Sequence, residues 1–355
     1  MQTIQANNYN VYFDTSGYNF LASSLVTSNY SKIFILVDEY TSQFCLPHLL
    51  NNLATEIEIE IIELEAGEIH KNIGTCTEVW AALSELGADR KSIVLNLGGG
   101  VVSDLGGFVA CTFKRGIDFI NIPTTLLAMV DASIGGKNGV DLDNLKNQIG
   151  IIREPKAVII DTEFLTTLPH NEMRSGLAEM LKHGLIYDKK YWNKFKNLKD
   201  LSTDDLNELI HESIQIKNTI VCEDLTENGI RKSLNFGHTL GHAIESYFLE
   251  NEEKTNLLHG EAIAIGMILE SYISREKELI TNEEYQEIKY IINDIFERVE
   301  FNKLDIDEII KLLIFDKKNE FGKVQFALLD GIGKIKINQE TNNELIIKAF
   351  NDYFI

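Results

Sequence analysis

Five short apolar runs in the first half of the chain, most of them stopped by a glycine, a proline or an aspartate, set the tightest limit on the fold. Lys32–Val37 runs into Asp38, Ser92–Leu97 into Gly98, Phe119–Ile122 into Pro123 and Ala157–Ile160 into Asp161. Glu56–Leu64 alternates Glu with Ile or Leu over much of its length. Runs that short and that apolar bury both faces, and helical stretches separate them. The combination predicts a parallel sheet with crossovers, whose functional side chains gather at the carboxyl ends of the strands. From about Asn171 the pattern becomes helical. Asp204–Val221, Leu234–Phe248, Glu261–Glu276 and Asn282–Phe296 carry apolar residues at three- and four-residue spacing, and one β-like segment, Val324–Leu329, interrupts them. A chain of 355 residues is too long for one ordinary core. The expectation is an α/β domain over 1–170 with a parallel, Rossmann-like sheet, then a mainly helical domain over 171–355.

The balance of charge excludes some partners. With 33 basic and 54 acidic residues the formal charge is −21, a surface that repels nucleic acid and anionic lipid. An anionic substrate must therefore meet a local basic cluster. No apolar run reaches membrane-spanning length, and Met1–Asn10 lacks the basic and apolar parts of a signal peptide, so a cytoplasmic location is expected. Cys45, Cys76, Cys111 and Cys222 have no CxxC spacing and read as free thiols.

Three motifs can carry chemistry. Gly98-Gly99-Gly100-Val101-Val102-Ser103-Asp104 follows a buried-type strand and opens an apolar helix, a setting in which backbone amides can meet a pyrophosphate, or which serves only as a tight turn. Asp131-Ala132-Ser133-Ile134-Gly135-Gly136-Lys137, followed by Lys146 and Asn147, sets a glycine pair and two lysines beside one another and suits an anion, although a surface loop would look similar. In the helical half, Glu179 and Lys182 stand one turn apart, His238 and His242 share a helix face at i and i+4, and His259 follows in Leu258-His259-Gly260-Glu261. Two histidines and a carboxylate form a common catalytic zinc set. A protease-type zinc helix needs Glu directly after the first histidine, and Thr239 stands there instead.

Taken together, GGGVVSD, IPTTLLAMVDASIGGKNGVD, KNQIG, GLAEMLKHGLI, RKSLNFGHTLGHAIE, LHGEAIAIGM and FDKKN resemble the 3-dehydroquinate synthase family in order and spacing over about residues 30 to 335. The resemblance implies that family's fold and the NAD- and metal-dependent closure of a carbocycle. In it a heptulosonate 7-phosphate is transiently oxidised at C5, loses phosphate from C7, is reduced again and closes by an aldol step. It also implies roles by position. Glu179, His238 and His259 would hold Zn²⁺, with Co²⁺ as a substitute. Asp131, Lys137, Lys146, Asn147, Lys182, Lys217, Arg231, Asn235, His242 and a lysine of the pair Lys317-Lys318 would contact substrate. Arg115 would reach the substrate phosphate across a homodimer. For NAD the matching positions are Asp38, Glu68, Lys71, Gly99, Gly100, Val101, Asp104, Thr124 and Thr125, with Lys137 and Lys146 shared, and Phe164 to Thr167. Ser103 stands where the family commonly has glycine, and Lys114 where it commonly has methionine. The alternatives within this fold are another sugar phosphate cyclase and a metal-dependent polyol dehydrogenase.

Overall fold

The computed structural model describes residues 1–143, 145–196, 203–313 and 324–354, and it divides into two compact units, Met1–Pro169 and His170–Ile355. The first unit runs β1 (Ile4–Gln5), β2 (Asn10–Phe13), α1 (Thr15–Ser28), β3 (Ile33–Asp38), α2 (Glu39–Phe44), α3 (Leu46–Asn52) and β4 (Ile59–Leu64). It continues through α4 (Ile73–Glu85), β5 (Ile93–Gly98), α5 (Gly100–Thr112), β6 (Asp118–Pro123), a hairpin of β7 (Lys137–Leu142) and β8 (Leu145–Ile152), and β9 (Ala157–Ile160). Seven of these strands form one sheet in the order β1-β2-β9-β6-β5-β3-β4, parallel throughout except for the β1–β2 pair. β3, β5 and β9 are buried almost end to end, which is why their sequences read as unbroken apolar runs.

Two features of this unit differ from the sequence expectation. β2 joins the sheet beside β9, with Asn10 opposite Ala157 and Phe13 opposite Ile160. The glycine- and lysine-rich segment read as an anion site, with a surface loop as its alternative, forms from Lys137 onward the β7–β8 hairpin, with Gly139 paired to Gly150. A Cβ on Gly139 would stand 2.6 Å from the Ile149 carbonyl oxygen, so the two strands touch backbone to backbone. α5 lies close against β7: a Cβ on Gly107 would fall 1.9 Å from Asn138 Oδ1. The buried Asn138 amide then donates to the Gly136 and Arg153 carbonyls at 2.9 and 2.8 Å and fixes the hairpin base.

The second unit holds α6 (His170–Ile186), α7 (Lys189–Lys194), α8 (Thr203–Glu223), α9 (His238–Glu250), α10 (His259–Glu276), α11 (Asn282–Ile295), α12 (Lys303–Leu312), a small ribbon of β10 (Phe326–Leu329) and β11 (Ile335–Gln339), and α13 (Asn343–Tyr353). α10 is its centre, packing on α6, α9, α11 and α13, and fourteen of its residues are buried. The segment read as one helix from Leu234 is broken. Ile230–Asn235 forms a 3₁₀ turn, and Gly237 at φ 77° redirects the chain so that α9 begins at His238. Among the described residues, no helix is long and apolar enough to cross a membrane.

Candidate active site

In the first unit, the turn from β5 into α5 makes an anion-ready helix end. Gly99 occupies the capping position and has no side chain to satisfy the first amides, and no acid stands in the first turn. A Cβ on Gly98 would lie 2.5 Å from Val102 Cβ, and one on Gly99 would lie 3.1 Å from Thr125 Cγ2. Glycine is thus required by close approach on one side and leaves the other bare. Thr124 ties the β6 end to this turn, its amide donating to the Gly98 carbonyl at 3.0 Å. A dinucleotide's pyrophosphate fits such an end, with Gly100 and Val101 in the first turn.

One turn further along α5, Asp104 accepts from Lys71 Nζ at 2.7 Å, and the same ammonium donates to Asn147 Oδ1 at 2.8 Å. Lys146 pairs with Glu68 at 3.3 Å. Five of the residues proposed from sequence, distant along the chain, therefore form one polar cluster, assembled because the hairpin folds β8 back towards α5. Burial alone would lower the Lys71 ammonium, but Asp104 and Glu68 outweigh it and hold the group above the usual lysine range. Asp141 braces the cluster by accepting from the Asn147 amide at 2.5 Å, where Asn147 is left-handed at φ 53°.

Asp131 lies within electrostatic range of Asp104, and the remaining candidates of this unit are held by other elements. Asp38, at the carboxyl end of β3, caps α2 by accepting from the Thr41 amide at 2.7 Å. Phe164 packs edge-on against His48 at 5.3 Å, and Thr167 closes the same 3₁₀ turn by donating to the Phe164 carbonyl at 3.3 Å. Asp131 is presented by a single π turn, Ala128–Ala132, and Lys137 stands exposed at the start of β7. Lys114 and Arg115 are both left-handed, at φ 47° and 71°, and both are exposed.

In the second unit, Glu179 of α6 is wholly buried, as are Lys182 beside it, Lys217 of α8 and Arg231. Lys182 Nζ donates to Glu179 Oε2. The other oxygen, Oε1, is buried without a hydrogen bond and faces His238 Nε2 at 3.4 Å and His259 Nε2 at 3.9 Å. Both imidazoles are oriented from behind. His238 Nδ1 lies 3.1 Å from the Phe236 carbonyl and His259 Nδ1 lies 3.2 Å from Glu245 Oε2. Carrying the proton on Nδ1 leaves each Nε2 lone pair aimed at the side where Glu179 Oε1 stands. Tetrahedral zinc with bonds of about 2.0–2.1 Å separates its ligand atoms by about 3.3 Å. One buried carboxylate oxygen without a partner, flanked by two nitrogens near that spacing, fits a divalent metal.

His242 sits one turn along α9, its ring 5.1 Å from that of His238 and 5.7 Å from that of His259. The three rings could together offer nitrogens within 4.8 Å of one another. Glu179 is the donor that distinguishes the two possible sets, because only its oxygen is both buried and short of a hydrogen bond. Asn235 is held by Glu227, whose Oε1 accepts its amide at 2.8 Å, and the Arg231 guanidinium donates to the Leu225 carbonyl at 2.6 Å. Lys317 and Lys318 lie outside the described residues. Sequence reasoning missed Glu245 and Glu227. Glu245 follows His242 by three positions, but its partner His259 is fourteen residues away and is found only through the packing of α9 on α10.

Two family models match this chain, 3-dehydroquinate synthase N-terminal over residues 61–175 and 3-dehydroquinate synthase C-terminal over 176–319. A 3-dehydroquinate synthase of Parabacteroides distasonis is 41% identical over 336 residues, covering 94% of each chain. Among solved structures, 2-deoxy-scyllo-inosose synthase complexed with carbaglucose-6-phosphate, NAD⁺ and Co²⁺ aligns with a TM-score of 0.83 at 25% identity, over 99% of both chains. The 2-epi-5-epi-valiolone synthase of Streptomyces hygroscopicus with NAD⁺ and Zn²⁺ bound aligns equally well, at 0.83 and 25%, over 100% of this chain and 99% of that one.

Proposed function

This chain belongs to the 3-dehydroquinate synthase family, and on that premise we propose that it is the phosphate-eliminating lyase that converts 3-deoxy-D-arabino-heptulosonate 7-phosphate to 3-dehydroquinate and phosphate, working with NAD and Zn²⁺. This is the ring-closing step of the shikimate pathway to the aromatic amino acids. The observation that carries the metal half of the reading is Glu179 Oε1, a buried acceptor with two imidazole Nε2 atoms around it and no hydrogen bond of its own. The NAD half rests on the bare N-terminus of α5 and the Glu68, Lys71, Asp104, Lys146, Asn147 cluster beside it. When bound, NAD supplies reversible oxidation of a substrate hydroxyl and the metal supplies polarisation of that hydroxyl.

The protein's own residues bind, orient and neutralise. Glu179, His238 and His259 hold the metal, and Lys182 keeps the second Glu179 oxygen occupied so that one oxygen alone faces the two imidazoles. The buried cations Lys182, Lys217 and Arg231 meet the substrate's phosphate and carboxylate, countering the −21 charge of the whole chain where the anion must sit. Asn235, set by Glu227, and His242 contact substrate hydroxyls. The resemblance also assigns substrate contacts to Asp131, Lys137, Lys146 and Asn147, with Lys137 and Lys146 shared with the cofactor.

The test is a redox-neutral assay. Incubated with the heptulosonate phosphate, Zn²⁺ and substoichiometric NAD, the protein should release phosphate and 3-dehydroquinate in equal amounts, with no lasting absorbance of reduced cofactor. Stoichiometric NADH would select the polyol dehydrogenase instead.

We propose in addition that the enzyme acts as a homodimer in the cytoplasm, with Arg115 serving the partner's site. What supports this is its loop, where two consecutive non-glycine residues hold left-handed angles and turn an arginine outwards. Each such residue costs about 1 kcal/mol or more and persists where its direction matters. Mixing Arg115→Ala with Lys182→Ala subunits gives heterodimers in which one site has both defects and the other neither. Activity should recover towards half of the parent's per heterodimer. No recovery, with exchange shown by mass, would place Arg115 in its own subunit's chemistry or in none.

A further inference from the structure

α9 begins at His238 without a cap of its own. Its capping residue, Gly237, has no side chain, yet the two amides that a local capping box would satisfy are both taken. The Gly237 amide donates to Glu270 Oε2 at 2.7 Å and the Leu240 amide donates to Glu270 Oε1 at 3.1 Å. Glu270 comes from α10 and is completely buried. One carboxylate from a neighbouring helix thus stands in for both halves of the box, its charge placed at the positive end of α9.

The approach that allows this is close. A Cβ on Gly266 would fall 1.9 Å from the Gly237 carbonyl oxygen, and one on Gly237 would fall 2.6 Å from Met267 Cγ. Between the two capped amides on the first turn lie His238 and Thr239, and α10 itself starts at His259. Glu270 therefore ties together the backbones that carry both histidines. A buried carboxylate is costly unless fully bonded, and an apolar residue would pack there without that cost. What the carboxylate adds over an apolar residue is a fixed direction for the turn that carries His238.

We propose that Glu270 is a positioning residue that sets the metal affinity of the site by fixing the first turn of α9 onto α10. The proposal rests on the metal reading given above. It predicts that Glu270→Gln, which replaces one acceptor oxygen by an NH₂ facing an N–H, weakens Co²⁺ binding about 10- to 100-fold. It also predicts an altered visible Co²⁺ spectrum, since the ligand field reports ligand direction.

Binding is measured by competition with a chromophoric chelator on the full-length protein, beside two comparators. Glu270→Asp keeps the charge but withdraws the oxygens, and should weaken binding less than Glu270→Gln while shifting the spectrum. Ile268→Val or Ile268→Ala, chosen to match the loss of metal-free stability, alters buried packing on the same helix without touching the cap. The spectrum and affinity should survive in the Ile268 variant. Wild-type affinity and spectrum in Glu270→Gln would overturn the proposal, and so would an equal loss in the matched Ile268 variant. If Glu270→Gln does not fold, Glu270→Asp carries the same comparison. A parent protein that binds no Co²⁺ or Zn²⁺ would instead sink the metal site itself.

Discussion

A His238→Ala protein should purify without its divalent metal and lose roughly a thousandfold in kcat/KM, because the metal's contribution of several kcal/mol disappears at about 1.4 kcal/mol per factor of ten. The geometry explains why this one ring matters so much. His238 Nε2 is the nitrogen nearest the bare Glu179 oxygen, at 3.4 Å, and the ring is held by the Phe236 carbonyl. Without it, the carboxylate keeps Lys182 on one oxygen and His259, at 3.9 Å, near the other. Metal content by mass spectrometry, set against turnover, checks the outcome. His242→Ala gives the contrast: it should lose turnover while keeping its metal, since His242 is assigned to substrate. If His242→Ala loses the metal and Glu179→Gln keeps it, the donor set is the three histidines and the assignment to Glu179 fails.

The second large effect should come from adding one methyl group. Gly266→Ala places a Cβ 1.9 Å from the Gly237 carbonyl oxygen and near the Gly241 amide, both backbone atoms that cannot swing aside. The helices must separate, and the cost should be on the order of 3 kcal/mol. For a unit of this size that corresponds to a fall of roughly 6–12 °C in Tm. Because α9 carries His238 and α10 carries His259, metal affinity should fall with stability, measurable by calorimetry with and without Zn²⁺. Gly74→Ala serves as a control, since its Cβ would meet only the Asn72 side chain at 3.0 Å. A Gly266→Ala protein as stable as the parent would show that the close approach is not required.

The strands of the central sheet could be read from sequence because burial on both faces leaves no polar positions, as in Ile33-Phe34-Ile35-Leu36-Val37. β2 and the β7–β8 hairpin could not be read that way. Asn10-Val11-Tyr12-Phe13 is four residues long and half polar, and it becomes a strand because β9 offers it an edge. In the hairpin, Gly139 and Gly150 carry no strand signal, and what they supply is contact between backbones. The histidines and Glu179 stood out because His and Glu at helical spacing are rare beside glycines. Glu245, Glu227 and Glu270 did not stand out, because each acts on a residue reached only after the helices or turns have packed. The break at Gly237 was hidden for a related reason: an apolar periodicity ran across it, while a left-handed angle leaves no mark in hydrophobic pattern.

The strand order has a consequence for how the chain is made. β2 is among the first segments to be synthesised, yet its partner is β9, the last strand of the unit, with Asn10 opposite Ala157. At about 5–20 residues per second, a ribosome needs roughly 7–30 s to cover that distance. During that interval β4, β5 and β6 can pair as they emerge, since each finds β3 or β5 already made. The open edge of β6 and the side of β2 away from β1 remain unsatisfied until β9 arrives and joins both. The nascent chain therefore passes through a state with an open parallel edge and a detached N-terminal β1–β2 segment. Slowing translation between residues 123 and 157 would prolong that state, whereas faster passage would shorten the window in which another chain can occupy the same edge.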